Sequence, residues 1–207
     1  MNKVLIGLFA LLALVAAPVD AGFSKVWLSS ATITGAGGDP ICSANYIDQK
    51  RHYLITAAHC LDQERFGTPY INGEHIAFVV VKSVEADIAV LHTPTWTQRA
   101  IKLAKHGVEL NDMVQMVGHP VGLKDNFLFR GFVANEFTNL APDVFHRAVQ
   151  VYQFPVCHGN SGSAIANEKE EVVSVMQMMF DQDNCSAISI GAVWSDVWRI
   201  AGPYFGK

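Results

Sequence analysis

The chain has 207 residues, 15 of them Lys or Arg and 19 Asp or Glu, for a formal net charge of −4 at pH 7. That balance supplies no basic field to draw nucleic acid or anionic lipid, so neither is expected as a partner. Hydrophobic residues make up 50% against 16% charged, which excludes disorder and suffices for one large domain or two small ones.

Part of the apolar excess lies at the start, where Met1-Asn2-Lys3 precedes an apolar run over residues 4–17 and then Pro18-Val19-Asp20-Ala21. A basic start, an apolar stretch of about 14 residues and small residues before Gly22 have the form of a secretory signal peptide, residues 1–21. The run is shorter than the roughly 18–20 residues needed to span a bilayer, and no second stretch is longer. A secreted or periplasmic location is therefore expected, with no membrane attachment after signal removal. Loss of Lys3 and Asp20 leaves the net charge unchanged.

An exported chain meets an oxidising compartment, so Cys42, Cys60, Cys157 and Cys185 read as disulfide cysteines, for which three pairings exist. Two lie in the first half and two in the second, which suggests one bridge in each. Their wide spacing lacks the close CxxC or HxxxH pattern of zinc sites, so no metal or other cofactor is expected.

Along the mature chain the segments are short and mostly extended. Residues 26–34 read as a strand that ends at the Gly35-Ala36-Gly37-Gly38-Asp39-Pro40 turn. Residues 41–47 and 52–56 follow, separated by a polar turn. An Asn72-Gly73 hairpin signal leads into a Val/Ile-rich tract, 74–84, and then a run at 88–92. Residues 93–111 read as a connector. The second half repeats the style at 113–117, 127–135, 145–154, 163–166, 172–180 and 187–193. Trp194, Val197, Trp198 and Ala201 recur at helical spacing before Gly202-Pro203. The pattern predicts an all-β chain, with two packed antiparallel barrels and a short C-terminal helix.

Three local sequences place a chemically competent side chain among apolar or small residues: Leu54-Ile55-Thr56-Ala57-Ala58-His59-Cys60, Glu85-Ala86-Asp87-Ile88-Ala89-Val90-Leu91 and Cys157-His158-Gly159-Asn160-Ser161-Gly162-Ser163-Ala164. A serine hydroxyl is a poor nucleophile at neutral pH. Acyl transfer through it needs an imidazole to take the proton, a carboxylate to fix the imidazole, and backbone N–H groups aimed at the developing oxyanion. Gly159 is expected to aim its N–H inward and Gly162 to keep the approach open to substrate. Asp87 is preferred over Glu85 because it opens the apolar run. Ser161 is preferred over Ser163 because it sits between the two glycines. Of the eight histidines only His59 has a motif behind it. His119 and His158 are expected on surface loops, and Met113, Met116, Met176, Met178 and Met179 in core or pocket packing.

In that order the three sequences resemble the chymotrypsin-like (trypsin-fold) serine proteases; other folds with this chemistry use other orders. The resemblance implies a first barrel over residues 22–105 carrying His59 and Asp87, and a second over 106–207 carrying Ser161. It implies that His59 is general base and then acid, Asp87 its orienting partner and Ser161 the nucleophile, with Gly159 and Ser161 N–H groups as the oxyanion hole. It further implies the disulfides Cys42–Cys60 and Cys157–Cys185 and a polypeptide substrate.

Asn160 stands where digestive members of the family carry Asp, and no Ile-Val-Gly-Gly start is present, so activation by propeptide cleavage is not expected. Asn160 and Ser163-Ala164 are similar to the bacterial branches, including glutamyl endopeptidases and HtrA proteases, as are Gly118-His119-Pro120-Val121-Gly122 and Arg130-Gly131-Phe132-Val133. No PDZ domain is expected after the second barrel. By the same resemblance Pro155 forms the base of the specificity pocket, Gln177, Met178 and Met179 one wall and Gly191 the other. Met176 stands where glutamyl endopeptidases read Glu with a His. No charge at the base would pair with Arg or Lys, so a neutral apolar or small P1 residue is expected. The alternative is a catalytically silent protease-fold protein that binds or regulates.

Overall fold

The computed structural model describes residues 24–94, 99–135, 148–180 and 185–206. The expected signal peptide and residues 145–147 of the expected 145–154 strand lie outside the described residues.

The chain opens with one helical turn, α1 (Lys25–Ser29), then β1 (Ser30–Thr34), β2 (Pro40–Asp48) and β3 (Tyr53–Thr56). A 3-10 turn (Ala58–Leu61) and α2 (Gln63–Phe66) precede β4 (Tyr70–Ile71), β5 (His75–Ile76), β6 (Phe78–Ser83) and β7 (Ile88–His92). The second half comprises β8 (Lys102–Leu103), β9 (Met113–Gly118), β10 (Phe127–Asn135), β11 (Val149–Cys157), β12 (Ala164–Asn167), β13 (Glu171–Met179), β14 (Cys185–Ala192) and α3 (Trp194–Ala201). Where a strand was expected from residue 26, the Ser24 hydroxyl accepts the Trp27 N–H at 3.2 Å and starts α1 instead. The 74–84 tract is two strands, interrupted where the Ala77 N–H turns to Pro69 O at 3.0 Å.

The architecture is two β modules. The first sheet runs β5-β4-β1-β2-β3-β7-β6 and curls into an open half-barrel. The second runs β12-β9-β10-β11-β14-β13-β8, and pairing of β12 with β13 closes it into a barrel. Among the described residues all strand pairings are antiparallel except β8 on β13, which brings residues 102–103 into the second sheet. β7 lies between β3 and β6 in its sheet and is buried over Ile88–Leu91, as its unbroken apolar run requires.

β2 sits between the modules, and its alternation explains how they join. Cys42, Ala44 and Tyr46 point into the first core, while Ser43 and Asn45, also buried, face the second module. Asn45 Nδ2 donates to Ser29 Oγ at 2.9 Å, and its Oδ1 accepts the Ala164 N–H of β12 at 2.8 Å. The second barrel has its own core around Met116, Val133, Tyr152, Phe154, Ile165 and Met176.

α3 covers the first core with a face rotated from the one expected, sharing Val197 and Ala201 with it. Val197, Ile200 and Ala201 are buried, whereas Trp198 is 54% exposed and stacks on Trp194 at 5.7 Å. Trp194 is half-buried beside Gly107, and its Nε1–H donates to Ala104 O at 3.1 Å. Among the described residues, no helix is long and apolar enough to cross a membrane.

Candidate active site

His59 lies in the 3-10 turn that follows β3, and Asp87 on the turn that enters β7, where the Asp87 N–H reaches Val84 O at 3.2 Å. The Asp87 carboxylate grips His59 twice. Oδ1 accepts the His59 backbone N–H at 2.8 Å, and Oδ2 lies 2.8 Å from Nδ1. A carboxylate can only accept, so Nδ1 carries the proton and Nε2 presents its lone pair. The Asp87 side chain is 18% exposed and that of His59 42%, so the acid is sheltered while the imidazole remains open to a reactant.

Ser161 reaches this pair through Gln177 of β13. Gln177 Nε2 donates to Ala86 O at 2.7 Å and to Asp87 O at 3.1 Å, while the Ser161 hydroxyl donates to Gln177 O at 3.4 Å. One residue thus touches both the acid loop and the serine. The Ser161 carbonyl accepts the Ser43 N–H at 2.8 Å and lies 3.6 Å from Cys60 Sγ, next to His59. Among the described residues no hydrogen bond joins Ser161 Oγ to His59. Such bonds are often long without substrate and shorten when it binds.

Residues 157–160 form a turn closed by the Asn160 N–H on Cys157 O at 3.1 Å, with Gly159 at φ +93°. A positive φ at the third position is that of a type II turn, which suits glycine. Among the described residues neither the Gly159 nor the Ser161 N–H donates to a protein acceptor. The site therefore offers two free amide donors beside a hydroxyl and an imidazole.

Gly162 does something other than keep an approach open. It is buried, at φ +86°, and a Cβ there would run into Thr56 Oγ1 and Ser43 O. Its lack of a side chain lets the serine loop press against β2 and β3 of the other module. Asn160 is also fully buried, packed against Gly118, and among the described residues its side-chain oxygen and nitrogen have no partner.

The disulfides brace both loops. Cys42–Cys60 joins β2 to the His59 turn, and Cys157–Cys185 joins the glycine turn to β14. Cys42, His59 and Cys60 bring their ligand atoms within 4.8 Å of one another, yet both sulfurs are spent in the disulfide and offer no thiolate to a metal.

The residues expected to shape a specificity pocket lie on the adjacent strands β11, β14 and β13, in different surroundings. Pro155 is exposed on β11; Met178 is half-buried beside Val149 and Ile190; Met179 is buried in the second core. Gly191 is buried against Ser174, Val175 and Tyr152, and the Gln177 side chain turns to the acid loop. Phe180 and Ile188 are exposed beside this strand pair, linked by the Phe180 N–H on Ile188 O at 3.1 Å.

His119 is not on a surface loop. It is 3% exposed, its Nδ1 lies 3.1 Å from the Ser43 hydroxyl, and burial pushes its pKa down to about 4, against smaller opposing effects of Asn126 and Asp125. No local sequence signal marks Ser43 or His119 as neighbours, because they are brought together only when β2 meets the end of β9. His158 is exposed.

The family model for a trypsin-like peptidase domain matches residues 42–175. A probable periplasmic serine endoprotease DegP-like of Buchnera aphidicola is 25% identical over 141 residues, covering 66% of this chain and 30% of the relative. A serine protease HtrA-like of Staphylococcus epidermidis is 22% identical over 162 residues, covering 72% of this chain and 28% of the relative. The chain thus spans less than a third of the length of these relatives. In fold it is similar to the HtrA-type protease AlgW with tripeptide, at a TM-score of 0.74 and 18% identity, covering 86% of this chain and 60% of that one.

Proposed function

We infer that the chain, which belongs to the trypsin-like peptidase domain family, is an exported serine endopeptidase that cleaves polypeptides through an acyl-enzyme. The observation that carries this reading is the double grip of Asp87 on His59. In the mechanism, Ser161 Oγ attacks the scissile carbonyl as His59 Nε2 takes its proton. Asp87 holds the ring in the Nδ1–H tautomer and stabilises the imidazolium. The Gly159 and Ser161 N–H groups receive the oxyanion. The imidazolium then gives its proton to the leaving amine, and a water activated by His59 releases the acyl group. The absence of charge at Pro155, Gln177, Met178, Met179 and Gly191 supports a neutral, apolar or small P1 residue. Export is supported by the signal-like residues 1–21 and by the two disulfides, which suit an oxidising compartment.

One observation favours the silent alternative: the Ser161 hydroxyl points to Gln177 O. A fluorophosphonate probe separates the two readings, since it reacts only with an activated serine. The wild-type chain labels at pH 8 and Ser161→Ala does not. A folded wild-type chain that stays unlabelled overturns the endopeptidase reading. Peptide-library cleavage then reads P1, and dominance of Arg, Lys or Glu would overturn the apolar assignment.

A further inference from the structure

The turn that presents the Gly159 N–H is built on a residue with no preference of its own. Glycine takes positive and negative φ about equally, so a turn over 157–160 is free to adopt the type II form or the type I form. The two differ by rotation of the peptide between His158 and Gly159, which points the Gly159 N–H to opposite sides. The His158 carbonyl belongs to the peptide that rotates, and the Gly159 carbonyl anchors the Cα at its far end, so the hold on each bears on which form persists.

Both carbonyls are held. The His158 carbonyl accepts the Val121 N–H at 2.6 Å. In a trans peptide the Gly159 N–H then points the other way, away from residue 121. The Gly159 carbonyl accepts the Ser43 hydroxyl at 2.8 Å. Ser43 is fully buried, and its oxygen in turn receives the His119 backbone N–H at 3.1 Å and faces His119 Nδ1 at 3.1 Å. With the hydroxyl proton committed to Gly159 O, Nδ1 must carry the hydrogen of the neutral ring, so that Ser43 Oγ accepts twice and donates once. The strand carrying Ser43 also donates its N–H to Ser161 O. His119 O packs against the Gly159 Cα closely enough to exclude any side chain there.

We propose that Ser43 and His119 are positioning residues that lock the glycine turn in its oxyanion-binding form, with the Ser43 hydroxyl as the pin and the buried His119 ring orienting that hydroxyl. The proposal rests on the endopeptidase reading of the same site. The brace crosses the module boundary, since Ser43 comes from the first sheet while His119 and Gly159 come from the second. Neither residue touches the reacting atoms. Their effect falls on transition-state stabilisation, while the surface that holds the substrate chain is left in place.

The test uses the full chain and two variants, Ser43→Ala and His119→Leu, which remove the pin and the ring that orients it. Kinetics are read per active site, titrated with the fluorophosphonate, on a fluorogenic peptide amide with an apolar P1 residue and with a matching peptide boronate as transition-state mimic. Both variants lower kcat by about 10- to 100-fold while KM stays within about threefold. The boronate inhibition constant rises by the same factor as kcat/KM falls. Amide exchange by mass spectrometry gives a readout that needs no activity: exchange over residues 157–161 accelerates in both variants while that of β7 and β13 does not. Unchanged kcat, boronate affinity and turn exchange in the folded Ser43→Ala protein would overturn the proposal. A wild-type chain inert to probe and peptide, with turn exchange still accelerated by Ser43→Ala, would overturn the endopeptidase reading and leave the brace standing.

Discussion

His119 makes stability depend on acid in a way that can be worked out from its burial. An imidazole 3% exposed and held at a pKa of about 4 stays neutral in the folded chain, whereas in the unfolded chain it titrates near 6.5. Between those two values the unfolded state binds more protons, so stability falls as pH drops from 6.5 to about 4 and stops falling on this account below that. At about 1.4 kcal/mol per pH unit the loss attributable to this one ring is about 3 kcal/mol. His119→Asn keeps a polar group near the Nδ1 position but cannot titrate. Urea unfolding followed by tryptophan fluorescence, disulfides intact, is measured for both proteins at pH 7 and pH 4. The other histidines contribute equally to both and cancel in the difference. The wild type loses about 3 kcal/mol more than the variant over this interval. Equal losses, within about 0.5 kcal/mol, would refute the assignment of a buried neutral ring at this position.

The remaining expectations concern how the site is held. Asp87→Asn presents an amide N–H to His59, so the ring adopts the other tautomer and kcat on the peptide amide falls by about 10⁴ with the fold intact by circular dichroism. Gln177→Met keeps the volume but strips donors from the buried carbonyl of Ala86 and the part-buried one of Asp87; denaturant unfolding gives a loss of about 1–3 kcal/mol, and kcat falls as the acid loop loosens. Gly162→Ala drives a methyl group into Thr56 and Ser43 at a positive φ. It costs at least about 3 kcal/mol in thermal or chemical unfolding and removes fluorophosphonate labelling even from chain that remains folded.

What the amino-acid sequence determined by itself was everything carried by local chemistry. Short strands follow from alternating and β-branched runs between glycine, proline and asparagine turns, and the all-β class follows from their number. His59, Asp87 and Ser161 stand out because each is a reactive side chain in a setting of small or apolar residues. The first module nevertheless stays an open half-barrel, and α1 replaces the start of a strand because one serine hydroxyl caps a turn. The turned face of α3 has a tertiary cause too: helical spacing admits several faces, and packing on the first core takes the one carrying Val197, Ile200 and Ala201. The tertiary structure alone decided the rest. Gln177 reads as a pocket wall from the resemblance, but its amide is drawn to two carbonyls of the other module. Gly162 reads as an opening toward substrate, but it is the point where one module's backbone meets the other's. Ser43 and His119 carry no motif, and their meeting depends on the docking of two sheets. A pattern in sequence reports the propensity of neighbours along the chain, while these contacts join residues far apart in it, whose approach is fixed by how the two modules pack.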